Sequence, residues 1–361
     1  MGLVEQRIID VLKENGGECY QSAIVNQSGF SKSRVSEILS ILEKKGTIQR
    51  FALGKNLRVE LTGKQVPLEK ARSASRVTLG FTRSAEYAFL PRFANIVKAS
   101  LGKTIEFRIY RNGIEVTRDL SRGRIDMGIA PILTLFESHS LGSPFTIVAP
   151  SGAGGSSIIE RRQSVKTRNV GRGSTHLTRK SRLSEGPVGT TKLSTMELLV
   201  RSSMNAGIIS PSRETDYASS PAEIVAALVR GHVDAISIWE PYATLLLKRS
   251  PESFRRLTRY SEVGEHVCCA LGVGNHLDSK LSKKTRAAFK FAIHEFDSSR
   301  ESCLPSYSAL TGYDQKTLRE VSPEYHYPED IDPRVVANQF ERAGIVIPKP
   351  SAIREALKDI D

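Results

Sequence analysis

The sequence predicts an α/β protein: a small helical head at the N-terminus, then a larger two-part α/β body. Three observations lead there. Residues 29–61 (GFSKSRVSEILSILEKKGTIQRFALGKNLRVEL) pass from a turn glycine through an amphipathic helix to two short strands around Gly54-Lys55-Asn56. From Val77 onward, short apolar runs alternate with helix-length amphipathic stretches, the pattern of a parallel sheet with crossover helices. The body also repeats itself, since Leu120-Ser-Arg-Gly123-Arg-Ile-Asp126 matches Leu228-Val-Arg-Gly231-His-Val-Asp234.

Composition bounds the answer. A chain of 361 residues has room for two or three compact units. Lysine and arginine (52) outnumber aspartate and glutamate (39), giving a net charge of +13 that favours nucleic acid or another anionic surface as partner. Glu5 and Asp10 interrupt the apolar positions of the N-terminus, so it does not read as a signal peptide. No run approaches the roughly 18 apolar residues of a bilayer span. The expectation is a cytoplasmic protein with no membrane partner. Four cysteines, two of them adjacent at Cys268-Cys269, match neither a disulfide framework nor a zinc pattern. That pair reads as part of a buried strand, and no metal or cofactor is expected.

In the head, Leu3, Ile8, Ile9, Val11 and Leu12 form one apolar face of a first helix, ended by Asn15-Gly16-Gly17. Residues 21–27 make a short second helix closed by Ser28-Gly29. Ser31 is a suitable N-cap for the third helix, whose inner side is Val35, Ile38, Leu39, Ile41 and Leu42. Ser31, Lys32, Ser33, Arg34 and Ser36 open that helix, where a recognition helix meets bases and phosphates. A hairpin follows, with Arg50, Lys55, Asn56 and Arg58 on strands and tip, positioned for phosphate or the minor groove. This order resembles prokaryotic, especially archaeal, winged helix-turn-helix regulators of the MarR-like type, over residues 1–64. The resemblance implies a partner in double-stranded DNA. A head that mediates only protein contacts is the alternative. Residues 65–76, rich in charge and serine, read as a linker.

In the body, strands are expected at Val77–Phe81, Ile105–Tyr110 and after Gly123, with helices at Tyr87–Ser100 and Gly113–Arg122. A second unit begins near Pro187, with helices opening at Thr191–Thr195 and at Ser220-Pro221. These motifs resemble the type II periplasmic-binding-protein fold, nearest in likeness to nitrate, sulfonate and taurine binding proteins and to the pyrimidine-precursor family of thiamine synthesis. Gly231-x-x-Asp234-Ala235 followed by Trp239-Glu240-Pro241-Tyr242 carries the likeness, as does Val188–Thr195. The resemblance implies a two-lobed ligand-binding domain over 77–330, its second lobe at about 187–260, with a C-terminal helical tail at 331–361. It further implies two inter-lobe crossings, the first within 155–187 and the return near Glu265–Gly274.

Ligands of such sheets sit beyond the carboxyl ends of the strands. Four loops therefore face the expected cleft: Thr82, Arg83, Ser84 and Glu86; Pro131; Thr190, Thr191, Lys192, Ser194 and Thr195; and Trp239 with Glu240. Hydroxyls and N–H donors at a helix N-terminus suit an anionic group. The single tryptophan suits a flat or apolar portion, and Glu240 can accept from an amine or ring N–H. Against this, Ser194 and Thr195 also fit plain helix caps, Trp239 fits a core position, and Asp126 and Asp234 fit turn closure.

Two segments depart from the pattern. Residues 161–182 are basic without an acid, reading as a surface segment or as a strap for DNA phosphates. Residues 151–157 (SGAGGSS) are glycine-rich without a P-loop ending, and read as a flexible hairpin. No HExxH, CxxC or Gly-x-Ser-x-Gly occurs, so no catalytic residues are expected and the chain does not read as an enzyme. The combined expectation is a ligand-responsive transcription regulator, homodimeric or of higher homo-oligomeric order. Its ligand would be a small organic metabolite: a sulfonate, a carboxylate or a pyrimidine-type compound. The alternative is a cytoplasmic solute-binding protein or an enzyme of pyrimidine-precursor metabolism.

Overall fold

The computed structural model describes residues 3–15, 18–45, 47–53, 56–61, 75–162, 186–346 and 353, 356 and 357. The chain divides into two compact units, Met1–Arg72 and Ser73–Asp361. Among the described residues no helix is long and apolar enough to cross a membrane.

The first unit runs α1 (Leu3–Glu14), β1 (Glu18–Tyr20), α2 (Gln21–Ser28), α3 (Lys32–Lys44), β2 (Ile48–Leu53) and β3 (Asn56–Leu61). β3 is the central strand, antiparallel to both β1 and β2. Ile8, Leu12, Ile24, Val35, Leu39, Leu42, Ile48 and Val59 form one core under the three helices and the sheet. The turn between α2 and α3 needs Gly29, whose φ of +76° lies in the left-handed region that glycine adopts without a Cβ clash. Ser31 then caps α3, its Oγ accepting from the Arg34 N–H at 3.3 Å.

The second unit begins with β4 (Arg76–Thr82), α4 (Leu90–Leu101), β5 (Thr104–Tyr110), α5 (Gly113–Ser121), β6 (Met127–Pro131), α6 (Ile132–Ser140), β7 (Phe145–Gly154) and β8 (Ser156–Arg161). It continues with β9 (Val188–Thr191), α7 (Thr195–Asn205), β10 (Thr215–Ala218), α8 (Pro221–Arg230), β11 (Ala235–Trp239), α9 (Tyr242–Arg249) and β12 (Phe254–Arg259). It closes with α10 (Tyr260–Val263), β13 (Cys269–Gly274), α11 (Ser279–His294), α12 (Phe296–Thr311), α13 (Gln315–Val321), β14 (Tyr325–His326) and α14 (Pro333–Arg342).

These strands build two sheets, in the orders β14-β7-β13-β6-β4-β5 and β10-β9-β11-β8-β12. Each sheet has a parallel part, β5-β4-β6 and β10-β9-β11, as alternating strands and helices require. Each is mixed rather than purely parallel. The strands that carry the chain between lobes (β7, β8, β12 and β13) return antiparallel to their neighbours. Val77, Leu79 and Phe81 bury one face of β4, and Gly80 and Thr82 are buried on the other. In α4, Leu90, Phe93 and Val97 recur at helical spacing and meet α11, where the Phe93 and Phe289 rings cross edge to face at 5.2 Å.

The glycine-rich stretch is not a flexible hairpin. It is the end of β7 and the first crossing between lobes, which falls at Gly154-Gly155, at the edge of the expected 155–187 range. Both glycines have positive φ (+89° and +63°), and a Cβ on Gly155 would lie 2.1 Å from the Tyr325 ring. Composition suggested flexibility; close packing against Tyr325 is what demands glycine there. The return crossing runs from α10 to β13. His266 ties the two crossings together: its Nε2 accepts the Gly154 N–H at 3.0 Å, which leaves the proton on Nδ1, facing the Gly264 carbonyl at 3.2 Å. Burial holds the ring well below its ordinary range, at about 4.

The internal repeat is structural. Asp126 Oδ2 accepts the Thr78 N–H at 2.7 Å beside β4, and Asp234 Oδ2 accepts the Gly186 N–H at 3.0 Å just before β9. Each aspartate thus ties the turn before its strand to the backbone in or just before the neighbouring parallel strand, β4 for Asp126 and β9 for Asp234, as expected of turn closure.

Candidate functional site

Between the two lobes lies a cleft of about 480 Å³, including space continuous with solvent. Its walls come from the ends of β4, β6, β9 and β11, from the first turns of α5 and α7, and from the start of β13. This is where strand carboxyl ends and helix N-termini converge.

Nine of the twelve expected ligand residues line it: Thr82, Ser84, Glu86, Pro131, Thr191, Lys192, Ser194, Thr195 and Trp239. Three do not. Arg83 lays its guanidinium on the Tyr313 ring, 4.7 Å from the centroid. Thr190 is fully buried beneath the surface of the second sheet. Glu240 is fully buried and turned away from the cleft: Arg256 donates to its Oε1 at 3.0 Å and the Thr244 N–H to its Oε2 at 3.0 Å. Its expected role as acceptor for a ligand N–H is not met, because Arg256 on β12 already uses it. Tyr87, Asn112, Gly113, Thr134, Met196, Cys268 and Cys269 complete the lining and were not expected there.

The Thr82–Glu86 loop is braced from behind by aromatic side chains. Tyr307 donates to the Ser84 carbonyl, Tyr327 to the Glu86 carbonyl, and the Trp239 Nε1–H to the Arg83 carbonyl, at 2.5, 2.9 and 2.9 Å. Trp239 is half-buried and packs edge to face on Tyr242. On the opposite lobe, Ser194 caps α7: its Oγ accepts the Glu197 N–H at 3.2 Å and donates to the Thr191 carbonyl at 2.6 Å. Thr195 donates to the Cys268 carbonyl at 2.7 Å. Both hydroxyls therefore hold the loop. Asn112 caps α5 in the same way, accepting from the Glu115 N–H at 3.0 Å. Its Nδ2 reaches across to the Ser219 carbonyl at 3.0 Å, and Thr134 reaches across to the Leu193 carbonyl. These two bonds join the lobes over the cleft.

At the floor, Glu86 is 1% exposed and accepts from Ser151 Oγ at 2.7 Å. Burial pushes its carboxyl up to about 7, against smaller opposing effects of Ser151, Cys268 and Cys269. The two thiols lie beside it, 3.5 Å apart. Burial pushes the Cys269 thiol well up. These thiols were expected in a core strand. They are buried, but the start of β13 also brings them to the cleft floor, which the sequence did not signal.

In the first unit, Lys32, Ser33 and Arg34 are exposed on the first turn of α3, and Ser36 is half-buried beside them. Lys32, Ser33 and Ser36 line a shallow groove with Gln21, Glu37 and Ser40, while Arg34 pairs with Glu37 of the same helix at 2.8 Å. Arg50 differs from expectation. Glu43 of α3 takes its guanidinium at 2.5 and 2.9 Å, so it is spent inside the unit rather than free on the hairpin. Lys55 and the side chains of Asn56 and Arg58 lie outside the described residues, as do most of 65–76 and of 161–182.

Comparisons with known proteins follow the same division. Residues 70–294 match the NMT1-like family, and residues 4–62 match a domain of unknown function (DUF7343). No curated protein matches the chain in sequence. Among solved structures, the ligand-binding component of an ABC-type import system from Staphylococcus aureus, with zinc bound, is 18% identical. It aligns over 78% of this chain and 99% of its own, with a TM-score of 0.62. The alkanesulfonate-binding protein SsuA of Xanthomonas axonopodis pv. citri, bound to MOPS, is 16% identical over 78% of this chain and 98% of its own, TM-score 0.61. The periplasmic nitrate-binding protein NrtA of Synechocystis PCC 6803 is 14% identical over 78% and 85%, TM-score 0.58. At such identities the likeness shows the fold, a two-lobed binding-protein body.

Proposed function

The chain belongs to the NMT1-like family, and from that premise we infer that its body is a small-molecule receptor and the whole chain a ligand-responsive, DNA-binding transcription regulator. The observation that carries the receptor part is the cleft itself. The N-termini of α5 and α7 face it from opposite lobes, with their first-turn N–H groups and positive dipole ends. Lys192 stands at the rim, and Trp239, Tyr87, Pro131 and Met196 offer flat and apolar contact. That combination suits a small organic molecule with a polar or anionic end: a sulfonate, a carboxylate or a pyrimidine-type metabolite. The alkanesulfonate-binding and nitrate-binding proteins that share this fold support a small anionic group. A nucleophilic role for the floor thiols is disfavoured, since burial keeps Cys269 protonated.

The regulator part rests on the first unit, read as a winged helix. Three helices, a β1-β3-β2 sheet and an exposed Lys32-Ser33-Arg34 turn at the capped start of α3 are the parts a recognition helix uses. A dimer follows from the need for two half-sites. The test is fluorescence anisotropy of the full chain on a duplex from its own upstream region, across a salt series. Wild type is expected to bind specifically, and Lys32→Ala/Arg34→Ala to reduce the salt slope by about one to two units. Equal affinity and slope for the double variant would refute the DNA-reading assignment.

A further inference from the structure

Six acidic side chains of the chain are buried among the described residues, and five of them meet a lysine, arginine or histidine side chain. Lys45 pairs with Glu5 at 2.8 Å, His276 with Asp126 at 2.9 Å and Arg255 with Glu160 at 2.5 Å. Arg201 pairs with Glu197 at 2.9 Å and Arg256 with Glu240 at 3.0 Å. The sixth, Glu86, has only a hydroxyl and two thiols around its carboxyl. It is also the one that lines the cleft. A buried carboxylate without a counter-charge is costly, and here the missing partner's place opens onto the ligand space.

The niche is shaped for the carboxyl. Residue 152 is glycine, and a Cβ there would lie 2.9 Å from Glu86 Cγ. Tyr327 fixes the Glu86 backbone from behind. Of the residues that line the cleft only Glu86 and Lys192 carry charge, one at the floor and the other exposed at the rim.

We propose that Glu86 selects ligands that bring an N–H donor, as an amine, an amidine or a ring amino group, to the floor of the cleft. The donor supplies the counter-charge that no neighbouring side chain provides. An oxyanion at the same point would meet a carboxylate and be rejected. The proposal rests on the cleft being the ligand site, as read above, and adds which chemistry its deep end accepts. It also makes binding proton-linked. Tyr87, Tyr307, Tyr325 and Tyr327, the phenols that act on Glu86 or are acted on by it, are pushed up by burial, as is Cys269. Contact with Cys269 draws the Cys268 thiol down, but burial and the charge of Glu86 outweigh it and leave it raised. Glu86 is therefore the group of this cluster that changes charge near neutrality.

Benzamidine and benzoate test this, as one flat ring carrying either an amidinium or an oxyanion. Binding to the full-length wild type is measured by calorimetry at about pH 6 and about pH 8. With Glu86 titrating near 7, roughly one tenth is ionised at the lower pH and nine tenths at the higher. Benzamidine should therefore bind about tenfold more tightly at about pH 8, and there more tightly than benzoate. Glu86→Gln should weaken benzamidine and flatten its pH dependence. Absent or pH-independent benzamidine binding to wild type, or benzoate binding as tightly at about pH 8, overturns the proposal. If benzoate binds and Trp239→Ala abolishes that binding while benzamidine fails, the donor preference falls and the receptor reading stands.

Discussion

Replacing Glu86 by Gln should remove a pH-dependent strain on the body. Burial raises the carboxyl from its ordinary value near 4.5 to about 7. The folded state therefore keeps its proton over that interval while the unfolded chain releases it. Folding stability falls as pH rises through the window and is flat above it. A difference of about 2.5 pH units at about 1.4 kcal/mol each amounts to roughly 3 kcal/mol. Glutamine preserves the shape and the Ser151 contact but titrates nothing. The stability of wild type minus that of Glu86→Gln should thus drop by roughly 3 kcal/mol between about pH 4 and about pH 8. Taking the difference cancels every other titrating group the two proteins share. Urea unfolding read by tryptophan fluorescence is the assay, because Trp239 is the only tryptophan and lies in the body. A difference that stays constant across that range would mean the carboxyl is hydrated, and its burial at the cleft floor would be wrong.

Other outcomes follow from the same packing. His266, held neutral at about 4 by burial, should have the opposite sign: stability is full above about pH 6.5 and falls as pH drops toward 4, by roughly 3 kcal/mol. His266→Gln should flatten that acid limb in an unfolding titration. Ser194→Ala removes the α7 cap and should cost about 1 kcal/mol, read as a lowered denaturant midpoint. Gly155→Ala forces a Cβ into the Tyr325 ring and should cost about 1–3 kcal/mol, seen as a lowered Tm, whereas a hairpin glycine would tolerate the change.

Much of the cleft was legible because its signals are local. Strand ends, a proline closing β6, hydroxyls at the start of α7 and a lone tryptophan closing β11 each declare themselves within a few residues. The misses share a physical cause, which is partners distant in sequence. Glu240 looked available until β12 placed Arg256 against it. Arg50 looked like a phosphate contact, but the register of β2 beside α3 gives it to Glu43. Gly154-Gly155 looked loose, although Tyr325, 170 residues beyond Gly155, is what requires the glycine. Cys268 and Cys269 read as core, which they are; that a core strand also starts at the cleft floor depends on how β13 pairs with β6 and β7. The glutamate that matters most, Glu86, was picked for its place after a strand, and nothing in the sequence distinguishes it from the five buried acids that found partners.

The central claim is that occupancy of the cleft is felt at DNA. The direct measurement is the affinity of the full-length protein for duplex DNA from its own upstream region, with and without a metabolite that raises its Tm in a thermal-shift screen. The account predicts a change of about 5- to 150-fold, equivalent to about 1–3 kcal/mol of coupling. It also predicts that the change is lost in Trp239→Ala. A metabolite that binds the wild-type cleft and leaves DNA affinity unchanged would contradict it.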